Sequence, residues 1–253
     1  MIKTIDDFFS SKNTIEKISI KEQQQTTDYL APIKAFARTT YKSIYVIDYY
    51  KKGFEYVSEN PLFLCGHTPE EIQNMGFDFY FKYVTEPDIE LLFKINTIGF
   101  DFYEKIRLNE RLKHTISYDF NLKNQEGKTI LINQKLTPLF LNEEGKIWKA
   151  ICIVSISNQQ KSGNIKIYKQ GENITHTYNL DKNYWQIEEK PPLSSREKEI
   201  LQFSARGFKI HEIAKHMHVS IDTVKFHRKK LFEKLEVINI TEAIAFSTNN
   251  KLI

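Results

Sequence analysis

The sequence predicts an α+β chain: an antiparallel-sheet domain followed by an all-α domain of four helices. Three observations predict it. Residues 114–157 fall into three strand-length runs, HTISYDFNLKN, GKTILINQKLTPLFL and GKIWKAICIVSIS, separated by the turn-forming NQEG and NEEG. From residue 193 the apolar spacing changes to that of helices. The charge is also segregated. Residues 191–253 hold 11 of the 36 Lys and Arg and 7 of the 32 Asp and Glu, which leaves 25 of each before them. The whole net charge of +4 therefore sits in the last quarter and points to an anionic partner for that segment.

Composition narrows the class. Hydrophobic residues make up 41% and charged residues 27%, enough for a real core. No apolar run approaches the roughly 18–20 residues of a membrane helix, and the longest, residues 150–154, is strand-sized. The opening MIKTIDDFFSSKN has early acids and no apolar run of a secretory signal. Two cysteines, Cys65 and Cys152, are too few for a disulfide scaffold and fit a reducing cytosol. The expectation is a cytoplasmic protein.

Taken in order, residues 1–40 read as a helical segment, with Ile5, Phe8, Phe9, Ile15 and Ile18 at helical spacing, then Leu30, Ile33 and Phe36 after a polar KEQQQTTD. Residues 41–158 begin with the β-rich SIYVIDYY and turn at Gly53 into a second strand. Thr68 is placed to cap a short helix, with Pro69 at its first position and Glu71 completing a capping box. In the first of the later strands Ile116, Tyr118, Phe120 and Leu122 share one face. Residues 159–190 form a connector: IKIYK and ITHTYNL flank KQGEN as a hairpin, and Trp185 and Ile187 are expected to pack it onto a domain. Pro191-Pro192 ends it.

Residues 191–253 carry the sharpest pattern. Ser194 or Ser195 caps a first helix, with Glu197 or Lys198 three residues on, and Gly207 stops it. A second helix, Ile210–His216, is followed by a tight turn at His218-Val219. Ser220 caps a third helix reaching about Leu235, with Thr223 in its first turn. Val224, Arg228, Leu231 and Leu235 lie along one side of it, Lys225, Phe226 and Lys229 along the other, with Asp222 nearby. The DNA major groove, about 12 Å wide, admits one such helix, whose N-terminal residues meet base edges. Flanking hydroxyls and cations hold phosphates.

The run LSSREKEILQFSARGFKIHEIAKHMHVSIDTVKFHRKKLFEKLEV…TEA resembles the LuxR-type (GerE or FixJ-type) helix-turn-helix over about a quarter of the chain. Leu193, Arg196, Glu197, Leu201, Gly207, Glu212, Ile213, Ala214, Val237, Asn239 and Ala243 carry it along with the third helix. The resemblance implies base contacts from Lys225, Phe226 and Lys229, phosphate contacts from Ser220, Thr223 and the basic residues near them, here His227, Arg228 and Lys230, and a dimer contact on the fourth helix through Thr241, Ile244 and Ala245. Two-fold symmetry then implies an inverted-repeat site on double-stranded DNA. Phe226 has two readings, a thymine methyl contact or packing in a dimer, and His227 buttresses the helix or a phosphate. Two positions depart from the family: Ile240, where a basic residue is usual, and Glu236, where Gly is usual. His211, His216 and His218 cluster near the turn, but without cysteine and among apolar neighbours they give no metal expectation.

Residues 41–157 resemble a PAS domain, on SIYVIDYYKKGFEYVSENPLFLCGHTPEEI, then YVTEPDIELL, then the three-strand meander with its EG turns. The resemblance implies a curved five-stranded antiparallel sheet with helices on one face, serving as a small-molecule sensor or a dimerisation module. FDFYFKYV holds no cysteine where light-sensing flavin PAS domains carry theirs. Cys65 reads as a small core hydrophobe. His67 and His114 are minor candidates for haem ligation. The cofactor expectation is none certain beyond an unidentified small PAS ligand. Asp48 follows a strand, but a β-hairpin comes next, unlike a phospho-receiver. No nucleophile–base spacing, metal-ligand cluster or Gly-rich phosphate loop suggests an enzyme. The expected function is a one-component transcription regulator, homodimeric, with RNA polymerase a candidate further partner and no membrane contact. The alternative is a partner-recruiting PAS protein in which DNA binding is secondary.

Overall fold

The computed structural model describes residues 3–249 and 252, apart from 27, 173, 190 and 191, and of residues 25 and 249 the backbone alone. The chain divides into two compact units, Met1–Glu188 and Glu189–Ile253. The expected connector boundary at 190/191 lies outside the described residues.

The first unit is one antiparallel sheet with helices packed on it. Its strands are β1 (Ser43–Asp48), β2 (Gly53–Val57), β3 (His114–Lys123), β4 (Thr129–Leu141), β5 (Ile147–Ile156), β6 (Gly163–Lys169), β7 (Ile174–Asn179) and β8 (Tyr184–Glu189), in the spatial order β2-β1-β5-β4-β3-β6-β7-β8. The first five form the antiparallel PAS-like sheet. Helices α3 (Pro61–Leu64), α4 (Pro69–Met75), α5 (Asp78–Tyr83) and α6 (Glu86–Glu104) lie between β2 and β3 in sequence. The two meander turns have the same chemistry. Asn124 and Asn142 each accept from a Gly four positions into the turn, Gly127 at 3.0 Å and Gly145 at 2.8 Å, and both glycines have φ of +78°.

Aromatic residues from the sheet and helices fill much of the core, including Tyr45, Phe63, Phe79 and Phe120, with Leu122 beside them. Polar pins set its register. The Thr68 hydroxyl accepts the Glu71 amide while the Glu71 carboxylate accepts the Thr68 amide, the expected capping box. Asp88, buried in the first turn of α6, accepts the backbone amide of Asn121 at 2.7 Å and its side-chain amide at 2.8 Å, which ties α6 to β3. Further along α6, Gly99 lets the helix approach the sheet, since a Cβ there would stand 3.1 Å from Ile116 Cδ1. The Tyr45 hydroxyl donates to Gln134 Oε1 at 2.7 Å, and Gln134 Nε2 donates to the Tyr118 hydroxyl at 2.6 Å. Every member of this trio is buried, so each hydroxyl needs its partner.

Two expectations are corrected here. The segment before β1 is not a continuous helix. It holds a 3₁₀ turn at Ile5–Phe8, α1 (Ile20–Gln25) and α2 (Leu30–Ala37). The apolar residues at helical spacing go to different places: Phe8 enters the main core, while Ile15 and Ile18 pack with Trp148 and Phe140. Between them Asn13, fully buried, closes a turn by accepting the Ser10 amide at 2.6 Å. The second correction concerns residues 163–189. The expected hairpin is present as β6 and β7, but β6 pairs with β3 and β8 adds a third strand, so the PAS-like sheet is prolonged. Trp185 packs against Phe102 and Tyr178, with ring centroids 5.0 Å apart in each case. Ile187 does not pack; it is 68% exposed.

One ionic cluster is buried at the sheet. Lys149 Nζ lies 3.3 Å from Asp48 and 2.5 Å from Glu55, and Glu55 also accepts the Tyr29 hydroxyl. Lys149 and Asp48 are almost wholly buried. Removing one partner leaves an uncompensated buried charge, which typically costs about 3–5 kcal/mol. Lys149→Met is therefore expected to destabilise the first unit by about 3 kcal/mol or more, measured by urea unfolding. A change within the range of an exposed lysine would show that the cluster contributes no stability.

Candidate nucleic-acid interface

The second unit contains α7 (Ser195–Ala205), α8 (Ile210–His216), α9 (Ile221–Leu235) and α10 (Ile240–Asn249). Ser194 is the cap of α7: its hydroxyl accepts the Glu197 amide at 3.3 Å, and Glu197 accepts the Ser194 amide at 2.7 Å. The chain then turns at Gly207, with φ of +85°. Between α8 and α9 the turn falls on His218, at φ +53°, and the Val219 amide returns to the Ala214 carbonyl at 3.0 Å. Ser220 caps α9 by accepting the Thr223 amide at 3.1 Å, and the two hydroxyls are 2.8 Å apart.

Two small cores hold these helices. Ile200, Ile213, Ala214, Met217 and Val224 make one; Leu193, Leu201, Leu231, Leu235 and Ala243 make the other. Val224, Leu231 and Leu235 are thus the inner side of α9, as the spacing requires. Arg228 on the same side is half-buried, its guanidinium 5.6 Å from the centre of the Phe232 ring. Burial lowers its pKa.

The opposite side is open. Phe226 is 54% exposed, and Lys225, Lys229 and Lys230 are exposed with it. Lys230 Nζ lies 4.5 Å from the centre of the Phe226 ring. Lys225 pairs with Asp222 at 3.3 Å and Lys229 with Glu233 at 4.0 Å, both on the surface, where such pairs contribute about 0–1 kcal/mol and separate easily. Ser220, with its cap, is exposed at the start of the helix, and Thr223 and His227 are half-exposed. The structure therefore gathers Ser220, Thr223, Lys225, Phe226, Lys229 and Lys230 on or beside one accessible helix face. Arg228 stands apart, turned toward the core. On α10, Thr241 is exposed, whereas Ala245 is half-buried and Ile244 partly packs into the core with Leu231.

The helices are also fixed by an ion pair that sequence reasoning missed. Glu197, 2% exposed, accepts Lys234 Nζ at 2.8 Å, joining the start of α7 to the end of α9. Its only signal in the sequence is the capping-box glutamate, which has a second oxygen to place. Burial opposes ionisation of Glu197, but the Lys234 ammonium and the Ser194 bonds outweigh it and hold the carboxyl below its usual value of 4.5.

The histidines are dispersed in role. His67 meets the Tyr83 hydroxyl through Nε2 and Glu71 through Nδ1 at 3.2 Å. His114 Nδ1 lies 3.0 Å from the Glu110 carbonyl oxygen. His216 stacks on Phe203 with ring centroids 5.3 Å apart. Among the described residues, no group of three or more His, Cys, Asp or Glu could hold a metal ion. Cys65 is buried, and burial pushes its thiol up to about 12.

Two outcomes follow from this geometry. Glu236 ends α9 at φ +55°, ψ +44°, a left-handed conformation that disfavours a side chain. Glu236→Gly should stabilise the second unit by about 1 kcal/mol, seen as a higher Tm; an unchanged or lower Tm would deny the strain. A depressed carboxylate pKa contributes stability that is full above its unfolded value and is lost as pH falls through its folded value. Stability of the second unit should thus fall as pH drops below 4.5, and Glu197→Gln should cost about 2 kcal/mol at pH 7 and flatten that acid dependence. Urea unfolding between pH 7 and 3 checks both.

Residues 191–247 match the model of the bacterial regulatory proteins, luxR family. The response regulator protein VraR of Staphylococcus aureus is 41% identical over 61 residues, which cover 24% of this chain and 29% of that protein. The chain thus spans under a third of the length of the curated relatives it matches. The solved structure of the response regulator ChrA of a heme-sensing two-component system is 36% identical over 26% of this chain and 33% of that one, with a TM-score of 0.25. That of the Vibrio cholerae VqmA dimer is 18% identical over 88% of both chains, with a TM-score of 0.32. The capped helices, the turn at His218 and the family match agree: residues 191–247 form a helix-turn-helix domain of the luxR family.

Proposed function

We propose that this chain is a one-component transcription regulator that binds double-stranded DNA through α9. The observation that carries the reading is the division of α9 into a sealed apolar side and an open side bearing Lys225, Phe226, Lys229 and Lys230. A helix presented this way fits the major groove, with Lys225 and Lys229 reaching base edges and Phe226 free for a thymine methyl. Phosphate contacts are assigned to Ser220, Thr223 and His227, which border the open side, while Arg228, turned toward the core, is left out of that set. The net charge of +4 in this quarter favours a polyanion.

In this reading the protein is a cytoplasmic homodimer, paired through Thr241, Ile244 and Ala245, on an inverted repeat, with RNA polymerase a further partner. No described helix is long and apolar enough to cross a membrane. The PAS-like unit senses a small molecule or dimerises, and no catalytic role is assigned to it. A partly open cavity of about 90 Å³ in that unit favours sensing over the rival reading of a protein-recruiting PAS module.

The test is Lys225→Ala on a DNA site obtained by selection from random sequence. Affinity for that site should fall by about 1–3 kcal/mol, with a much smaller loss on random DNA. Equal losses on both would make Lys225 a phosphate contact, and no loss on either would remove α9 from the interface.

A further inference from the structure

The cavity in the first unit lies between α6 and the sheet, and the segment before α1 closes part of it. Residues 3–13 run alongside α6 as a strap. Lys3 Nζ meets Glu90 at 2.5 Å near the start of α6. In the middle, the Phe8 carbonyl accepts Asn96 Nδ2 at 2.6 Å and Asn13 Nδ2 at 2.7 Å. Lys12 then meets Asp101, and Glu104 at 3.4 Å, toward the end of α6. The ion pairs at both ends are solvent-exposed, and such pairs hold weakly.

Within the strap, Phe8 and Asn13 are deeply seated. The Phe8 ring, 5% exposed, stacks on Phe93 at 4.2 Å and lies 5.7 Å from Phe77 and 5.9 Å from Tyr80. Phe8, Phe77 and Tyr80 are also walls of the cavity. The ring therefore fills one end of an aromatic slot whose remaining space is the cavity. Among the described residues lining the cavity there is no Lys, Arg, Asp or Glu, and the one titratable imidazole, His114, has Nδ1 engaged with the Glu110 carbonyl oxygen, so an ion would lose its hydration with little compensation. Tyr103, another lining residue, is 8% exposed, and its buried hydroxyl has no hydrogen-bond partner among the described residues, which leaves it able to donate.

We propose that the strap at residues 3–13 is a displaceable gate on this cavity, with Phe8 as its plug. An uncharged molecule with an apolar ring and one hydrogen-bond acceptor enters the cavity as the Phe8 ring leaves it and engages the Tyr103 hydroxyl. The inference rests on the sensing reading of the first unit. It adds that the chain's own phenylalanine competes for the site, so affinity is set partly by how firmly the strap is held.

The test uses 4-fluorobenzyl alcohol as probe and 4-fluorobenzoate as its charged counterpart, with ¹⁹F NMR titration of the full chain. Phe8→Ala should bind the alcohol at least tenfold more tightly than the native chain. Lys3→Ala/Lys12→Ala, which removes no buried side chain, should bind it at least threefold more tightly. The benzoate should bind neither. A folded Phe8→Ala chain that binds no better than the native one overturns the gate. Should Phe8→Ala not fold, the double variant decides in the same way. Hydrogen exchange gives a second readout: saturating alcohol should speed exchange of the Phe9, Asn13 and Thr14 amides, which the strap's own turns protect. Unchanged or slower exchange overturns displacement of Phe8. If the plug is displaced but DNA affinity stays constant, the gate stands and the sensing reading fails.

Discussion

A single buried carboxylate governs the geometry of the second unit. Glu197 joins the first turn of α7 to the last turn of α9 through Lys234 while capping its own helix at Ser194. A buried charge is tolerated only when its oxygens are fully occupied, so the two helices are held to one relative placement. Leu201, Leu231 and Leu235 pack beside that joint, and Ile200, Ile213 and Val224 seal the other end. With its inner side committed to these contacts, α9 has one face left for a partner. Phe226, 54% exposed, stands on that face among Lys225, Lys229 and Lys230.

The first unit uses polar pins in the same manner. Asp88 fixes α6 on β3, and Gly99 allows the close approach that follows. The Tyr45–Gln134–Tyr118 bonds cross the core from β1 to β4 to β3. These constraints hold the helices at a set distance from the sheet. The space left beside Phe8, Tyr80 and Tyr103 is therefore a consequence of the fold and not slack in it.

Much of this was legible in the sequence where the signal is local. Thr68, Ser194 and Ser220 cap the helices they were expected to cap, and the alternation of Ile116, Tyr118, Phe120 and Leu122 gives the inner face of β3. The limits came where distant residues decide. Phe8, Ile15 and Ile18 have helical spacing, yet two separate cores claim them. Nothing local says that β6 pairs with β3, or that Tyr184–Glu189 continues the sheet. In the recognition region the faces of α9 were readable from 3.6-residue periodicity, but the Glu197–Lys234 bond spans 37 residues and was not. Glu236 was visible as a departure from the family; its left-handed backbone supplies the physical meaning.

The central claim is that the basic face of α9 binds the DNA backbone and grooves. The most direct measurement is the affinity of the native chain for duplex DNA as a function of salt. The account predicts that log K falls linearly with log salt, with a slope near −0.9 per phosphate neutralised, and that Lys225→Ala/Lys229→Ala makes the slope shallower. An affinity indifferent to salt, or a slope unmoved by the double substitution, would contradict it.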